Sequence, residues 1–328
     1  MTTQPEQNSA RGASSSYVAP SRYRTRRTVL NDALPYLAIA PTVITFVVLL
    51  GYPIVLLFLT SMQKFGLKEI VNHLTTWIGL DNYYQILFET PAGLPDFLTV
   101  LARTTIFMVV NVALTICLGM LVALLLERLN RWVRLILTSA MVLAWAMPVV
   151  TGVVVFQWLF DSKLGVVNWA ISQFQIFGDY LNHSWFDTGL STFAVITLLI
   201  VWQAIPFVAL SLYAGLLSIP RELPEAARVD GGNERQIFRH ITLPSLAPLL
   251  MMLIFLSVIW DFKVFTQIYA MSLNAPDNTM TLSVYAYVIG ISEQKYGYAA
   301  AASVVMMLLL LVALIPYIRR MIRSLEEQ

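Results

Sequence analysis

Six long apolar runs, at about 34–62, 99–126, 135–160, 190–217, 245–271 and 299–318, constrain this chain more than any other feature. A helix needs about 20 apolar residues to cross the hydrocarbon core of a bilayer, and each run reaches that length. No water is available there to pair backbone N–H and C=O groups, so each run must satisfy its own, and helix is the solution. The composition agrees. The chain of 328 residues is 58% hydrophobic and 12% charged, against roughly 45–50% and about 25% in soluble domains. An all-α membrane protein with six transmembrane helices is predicted.

Basic residues orient these spans, because they concentrate in cytoplasmic connections. Arg11, Arg22, Arg24, Arg26 and Arg27 precede the first span, and Arg128, Arg131 and Arg134 join the second to the third. Arg221, Arg228, Arg235 and Arg239 join the fourth to the fifth, and Arg319, Arg320 and Arg323 follow the sixth. Together they are most of the 21 Lys and Arg residues. Both termini are therefore expected in the cytoplasm, with residues 1–30 a disordered, Ser-rich tail, 31–322 the membrane domain and 323–328 a second tail. The first run is too long for a cleaved signal peptide and lacks a small-residue cleavage site, so it is expected to be retained.

Several function classes drop out. Cys117 is the single cysteine, which excludes an internal disulfide and a cysteine-based metal site. His73, His183 and His240 are too widely spaced to suggest a histidine site, so no metal is expected. No G-x-x-x-x-G-K-[ST] stretch occurs, so nothing here can cradle nucleotide phosphates. No filter segment suggests a channel. A secondary transporter, the rival from another class, often shows an inverted repeat and needs an embedded ion site; six spans without an obvious repeat argue against it.

Between the fourth and fifth runs lies EAARVDGGNERQIFRHITLPSLAP, residues 225–248. Pro224 suits the first helical position, and Glu225, Ala226 and Ala227 follow it, with Glu225 at the positive end of the dipole. Gly231 and Gly232, after Asp230, predict a C-cap and an elbow. Asn233 with Gln236 three residues on predicts a capping box opening a second helix. Its Ile237, Phe238 and Ile241 share one face, and Pro244 closes it at the membrane. An arbitrary loop of this kind would lie on the lipid headgroups. The spacing of Glu225, Ala226, Ala227, Gly231, Ile241, Leu243 and Pro244, however, resembles the signature loop of permease subunits of ATP-binding-cassette importers.

The resemblance covers about residues 34–318. "IGLDNYYQIL" and "LGMLVALLLERLNRWVR" resemble elements of that family, "WDFKVFTQIYAMS" and "QKYGYAAAASVVMM" resemble stretches of its sugar-importing, maltose-permease-like branch, and the fifth-span stretch looks most like trehalose or maltose importers. That branch commonly has Gly-Gly-Pro where this chain has Asn274-Ala275-Pro276, a less permissive backbone for the outer loop. The resemblance implies a type I importer permease fold. It implies that 218–244 is a coupling loop whose Glu225, Ala226, Ala227, Asp230, Gly231, Phe238, Ile241, Leu243 and Pro244 dock in a cleft of an ATPase subunit, a helix-in-groove contact. It also implies a second homologous permease, two ATPase subunits that carry ATP and magnesium, an extracytoplasmic sugar-binding protein and a bacterial cell membrane. No cofactor bound to this chain and no nucleic-acid partner are expected.

Polar groups within spans are expensive, roughly 2.5–3.5 kcal/mol for a central charge, and so mark functional candidates. Asp261 and Lys263 stand two apart in the fifth run and cannot pair along one helix face. Carried over from the maltose-permease branch, sugar contacts fall on Ser257, Asp261 and Val264, and on Ile200, Gln203, Ala204 and Phe207. The second set is also an i, i+3, i+4, i+7 stripe on the fourth span. Interhelical hydrogen bonding is the competing reading for Gln203 and Asp261, and for Asn111 and Gln157 as well. Arg103 is expected to snorkel to the interface. The alternative cargo is glycerol 3-phosphate or another solute, although a phosphate would disfavour Asp261.

Overall fold

The structure, a computed structural model, describes residues 26–89, 93–173, 180–272 and 276–326. Two units divide the chain between Val55 and Leu56. The first holds α1 (Arg26–Phe46), which passes through a π turn at Val47–Gly51 into α2 (Tyr52–Ser61), and the division falls within α2. The apolar stretch Pro35–Ser61 is 27 residues long, with a mean hydropathy of 2.5. The expected tail 1–30 lies mostly outside the described residues, and from Arg26 onward it is helix rather than disordered chain.

The second unit opens with a small extension made of β1 (Gln63–Lys64), α3 (Leu67–Val71), β2 (Thr76–Trp77) and α4 (Asp81–Phe88). The spans follow. Helix α5 (Phe97–Arg128) is capped by Asp96, which accepts from Thr99 N–H, and α9 (Gly189–Leu217) is capped by Thr188, which accepts from Ser191 N–H. Between them stand α6 (Arg131–Trp145), α7 (Val149–Leu159) and α8 (Val166–Gln173). After α9 come α10 (Glu222–Val229), α11 (Glu234–Ile237), a π turn at Phe238–Thr242 and α12 (Leu243–Phe262). The chain ends with α13 (Thr266–Met271), α14 (Pro276–Thr279), α15 (Leu282–Tyr287), a π turn at Val288–Ser292 and α16 (Tyr296–Glu326).

Five helices of the described residues are long and apolar enough to cross a membrane, and α6 with α7 make a sixth span if the pair is counted as one. That pair corrects the straight span expected at 135–160, for the two helices bend by 101°. Pro148 disfavours helical geometry at Met147 and lacks an N–H of its own, so the chain breaks there and restarts at Val149. The fifth span is likewise shorter than 245–271. Helix α12 stops at Phe262, and Lys263 is its exposed C-cap. The lysine therefore sits at the negative end of a helix dipole rather than in mid-span. At the other end, α16 carries the chain to Glu326, beyond the expected limit of 318.

Two apolar cores stack along these helices. One gathers Phe107 of α5, Leu199 and Ile200 of α9 and Phe262 of α12, together with Tyr285 and Ile289. The other gathers Met120 and Ala123 of α5, Val208 and Leu212 of α9, and Leu246 and Leu253 of α12. Each of the three helices therefore runs from one core into the other.

Candidate functional site

Between the two cores each helix carries polar side chains among its apolar ones. On α5, Asn111 and Thr115 fall between Phe107 and Met120, and both are buried. On α9, Gln203 falls between Ile200 and Val208. On α12, Ser257 and Asp261 fall between Leu253 and Phe262, each 6% exposed. An apolar waist would have completed one continuous core. This one holds unsatisfied groups instead: Asn111 Nδ2 donates to Phe107 O at 2.8 Å, but Asn111 Oδ1 and Thr115 Oγ1 have no partner among the described residues. Buried polar groups without partners are costly. Thr115 was not singled out by sequence reasoning, and its i, i+4 spacing from Asn111 was the available signal.

The residues expected to meet a sugar are only partly brought together. Ile200, Ser257 and Asp261 are buried, while Gln203, Ala204 and Phe207 are half-buried on their stripe. Gln203 Oε1 accepts from Gln267 Nε2 at 3.3 Å, and a Cβ at Gly152 of α7 would stand 2.8 Å from Gln203 Nε2. Three elements thus converge on one carboxamide. Phe207, one turn further, lies 6.0 Å from Trp145 in a stacked arrangement and 5.4 Å from Trp260. Val264 departs from the expected face. It lies beyond the end of α12, where its carbonyl accepts from Ser283 Oγ at 2.7 Å. Gln157 bonds Ala270 O at 2.9 Å and so ties α7 to α13, as the competing reading for it held. Arg103 does not simply snorkel, since its guanidinium donates to Met280 O at 3.2 Å.

The bracket between the fourth and fifth spans forms from local rules. Helix α10 begins at Glu222, two residues ahead of the expected start at Pro224, which leaves Pro224 inside the first turn. It ends in a Schellman motif, with Gly232 N–H on Ala227 O at 2.8 Å and Gly231 N–H on Arg228 O at 3.1 Å. Gly231 has φ +85°, a conformation that costs glycine little and other residues much. Asn233 and Gln236 make the reciprocal capping box, both bonds at 2.9 Å. Arg228 Nε meets Glu234 Oε1 at 2.9 Å across the elbow, exposed on both sides and so of modest value.

Pro244 does not close the second helix. Leu243 N–H reaches back five residues to Phe238 O, and this widened turn lets α11 pass into α12 without a break although Pro244 has no N–H to donate. Phe238 and Ile241 are half-buried and Leu243 is exposed. Phe238 packs on the second core, which includes Leu246 and Leu253 of α12. On α10, Leu223, Ala226 and Val229 form an exposed stripe, with Val229 88% exposed. Sequence reasoning named Ala226 but missed Leu223 and Val229, whose i, i+3, i+6 spacing was the signal. Glu225 and Arg228 turn to a cavity of about 710 Å³ between the bracket and the ends of α5 and α9. There Arg134 reaches the last carbonyls of α5, with Nε on Leu126 O at 2.8 Å and Nη2 on Leu129 O at 2.6 Å. Its guanidinium also lies 5.5 Å from the Tyr213 ring.

The sequence model of one family, described as "Binding-protein-dependent transport system inner membrane component", matches residues 115–323. Over 90% of this chain and 88% of the relative, the sequence is 43% identical to the diacetylchitobiose uptake system permease protein DasB of Streptomyces coelicolor. It is 32% identical to the trehalose/maltose transport system permease protein MalF of Thermococcus litoralis, over 73% and 82% of the two chains. It is 30% identical to the arabinooligosaccharides transport system permease protein AraP of Halalkalibacterium halodurans, over 81% of each. The fold is that of a chain in a bacterial ABC transporter involved in alginate import, with a TM-score of 0.76 at 20% identity over 91% of this chain and 98% of that one.

Proposed function

The chain belongs to the binding-protein-dependent transport system inner membrane components, and from that premise we propose that it is one permease subunit of an ATP-driven sugar importer with a disaccharide as cargo. The observation that carries the sugar is the 43% identity, over 90% of the chain, to a permease named for diacetylchitobiose. The waist suits such a ligand chemically. Asp261, Gln203 and Ser257 offer acceptors and donors for sugar hydroxyls, and Phe207 offers an aromatic face for C–H surfaces, with Ala204 and Ile200 as apolar surroundings. A second permease supplies the other half of the path. Two ATPase subunits hydrolyse ATP and receive α10 and α11, and an extracytoplasmic binding protein delivers the sugar. Both termini lie in the cytoplasm.

Trehalose or maltose, expected from the fifth span, has its support in the 32% identical relative, and diacetylchitobiose in the 43% identical one. Uptake of labelled diacetylchitobiose, trehalose, maltose and glycerol 3-phosphate in a strain lacking this chain, with and without complementation, tests the reading. Complementation should restore uptake of at least one disaccharide. Restoration of glycerol 3-phosphate uptake alone, or of none of the four, would overturn it.

A further inference from the structure

Residues 62–88 are fixed at the membrane end of two spans, and their outer surface is unlike that of a soluble loop. Strand β1 pairs antiparallel with β2, Gln63 opposite Trp77 and Lys64 opposite Thr76. The ribbon is tied to the start of α16, because Gly297 N–H donates to Phe65 O at 2.8 Å and Leu67 N–H to Gln294 O at 3.3 Å. A Cβ on Gly297 would collide with Gln63 O, so this close approach needs glycine. Buried Asn82 donates to Ser61 O at 2.8 Å and to Gln63 O at 3.0 Å, and the Ser61 and Tyr83 hydroxyls are 2.6 Å apart. The extension therefore sits where the apolar helix Pro35–Ser61 ends and where Tyr296–Arg319 begins.

Helix α4 turns Asn82, Tyr83 and Ile86 inward. Its opposite side carries Leu80, Tyr84, Leu87 and Phe88, an i, i+4, i+7, i+8 stripe in which Leu80 is 66% and Phe88 73% exposed. On α3, Leu67, Ile70 and Val71 share a face at i, i+3 and i+4, and Leu74 follows beyond the helix end and the left-handed His73, with Val71 67% and Leu74 62% exposed. Trp77 on β2 is exposed as well. A short amphipathic helix normally spends its one apolar stripe on the core. Here α4 has a second stripe, and α3 has one that the other described residues leave exposed.

We propose that residues 67–88 lie in the headgroup layer of the bilayer, with the stripes of α3 and α4 against the upper acyl chains and Trp77 and Tyr84 at the level where amphipathic rings collect. The surface is continuous with the ends of two spans, which places it at the membrane boundary. No charged residue falls in either stripe, whereas a face that meets a soluble binding protein intermittently would be bare to water between encounters, and soluble surfaces avoid apolar patches of this kind. The anchor would hold the start of α16 at fixed depth. Which leaflet it occupies rests on the proposed orientation, and the lipid contact does not.

Single-cysteine variants Leu74→Cys and Tyr84→Cys, with Asn72→Cys as a polar control, in a Cys117→Ser background and in the assembled complex, carry an environment-sensitive fluorophore in proteoliposomes. Phosphatidylcholine spin-labelled near the top of the acyl chain should quench positions 74 and 84 at least twofold more than position 72, with aqueous iodide giving the reverse order and binding protein changing neither. Iodide quenching at 74 and 84 that is relieved by binding protein would overturn the proposal in favour of a docking face. Protection from both quenchers would overturn it in favour of the second permease. The sugar assay can fail without moving these readings.

Discussion

Asp261 concentrates the question of substrate contact in a single side chain. It is 6% exposed, and its carboxylate has no hydrogen bond or ion pair among the described residues. A carboxylate held that way needs water, a proton or a ligand. If it accepts from sugar hydroxyls, Asp261→Asn keeps one acceptor and part of the uptake. Asp261→Leu strands sugar hydroxyls at about 1–3 kcal/mol for each lost partner, so uptake should fall at least tenfold while the amount of complex in the membrane stays near wild type. A purely structural Asp261 would lower assembly and uptake in proportion. The ratio of uptake to assembled complex, measured for both variants, separates the two. Asp261 and Gln203 were legible as candidates because polarity inside an apolar run is conspicuous. Val264 was misplaced because periodicity presumes a helix that continues, and α12 stops at Phe262.

At the scale of elements, the bracket α10–α11 was the most readable part of the chain, since helix ends are set by contacts within a few residues. The Schellman elbow and the capping box both stand where Gly231 and Asn233 announced them. Replacing Gly231 by valine puts a β-branched side chain at φ +85°, at a cost of about 1–2 kcal/mol or more. The elbow should relax and turn α10 away from its partner. In reconstituted complex, Gly231→Val should leave basal ATP hydrolysis in place and abolish its stimulation by loaded binding protein, with uptake lost in parallel. Wild-type uptake in this variant would exclude the coupling role. The break in the third span was harder to foresee. Pro148 gave a warning, but its neighbours are uniformly apolar, and hydropathy cannot distinguish one straight helix from two joined at 101°.

For the whole molecule, charge distribution makes a prediction about sidedness. Positions 12 and 178 lie outside the described residues and position 325 within α16, so chemical labelling is the direct measurement. In a Cys117→Ser background, Gly178→Cys should react with a membrane-impermeant thiol reagent in intact cells lacking the binding protein. Gly12→Cys and Leu325→Cys should react only after the cells are opened. Reaction at 12 in intact cells, without reaction at 178, would invert the orientation. The departure at Asn274-Ala275-Pro276 also falls largely outside the described residues, and its consequence for the outer loop stays with the sequence.

The amino-acid sequence by itself determined that this is a helical membrane protein and where the bracket folds, because these depend on the cost of unpaired backbone in lipid and on capping within one turn. It also placed the chain in its family through the spacing of Glu225, Ala226, Ala227, Gly231, Ile241, Leu243 and Pro244. Tertiary structure alone decided which residues build the two cores. Asn111 and Thr115 on α5, Gln203 on α9, and Ser257 and Asp261 on α12 are far apart in sequence, and the packing of those three helices leaves each of them in a stretch between the two cores. It likewise decided which apolar stripe of α4 is buried and which stays bare, because a stripe's spacing reveals that a surface is apolar and not what will cover it.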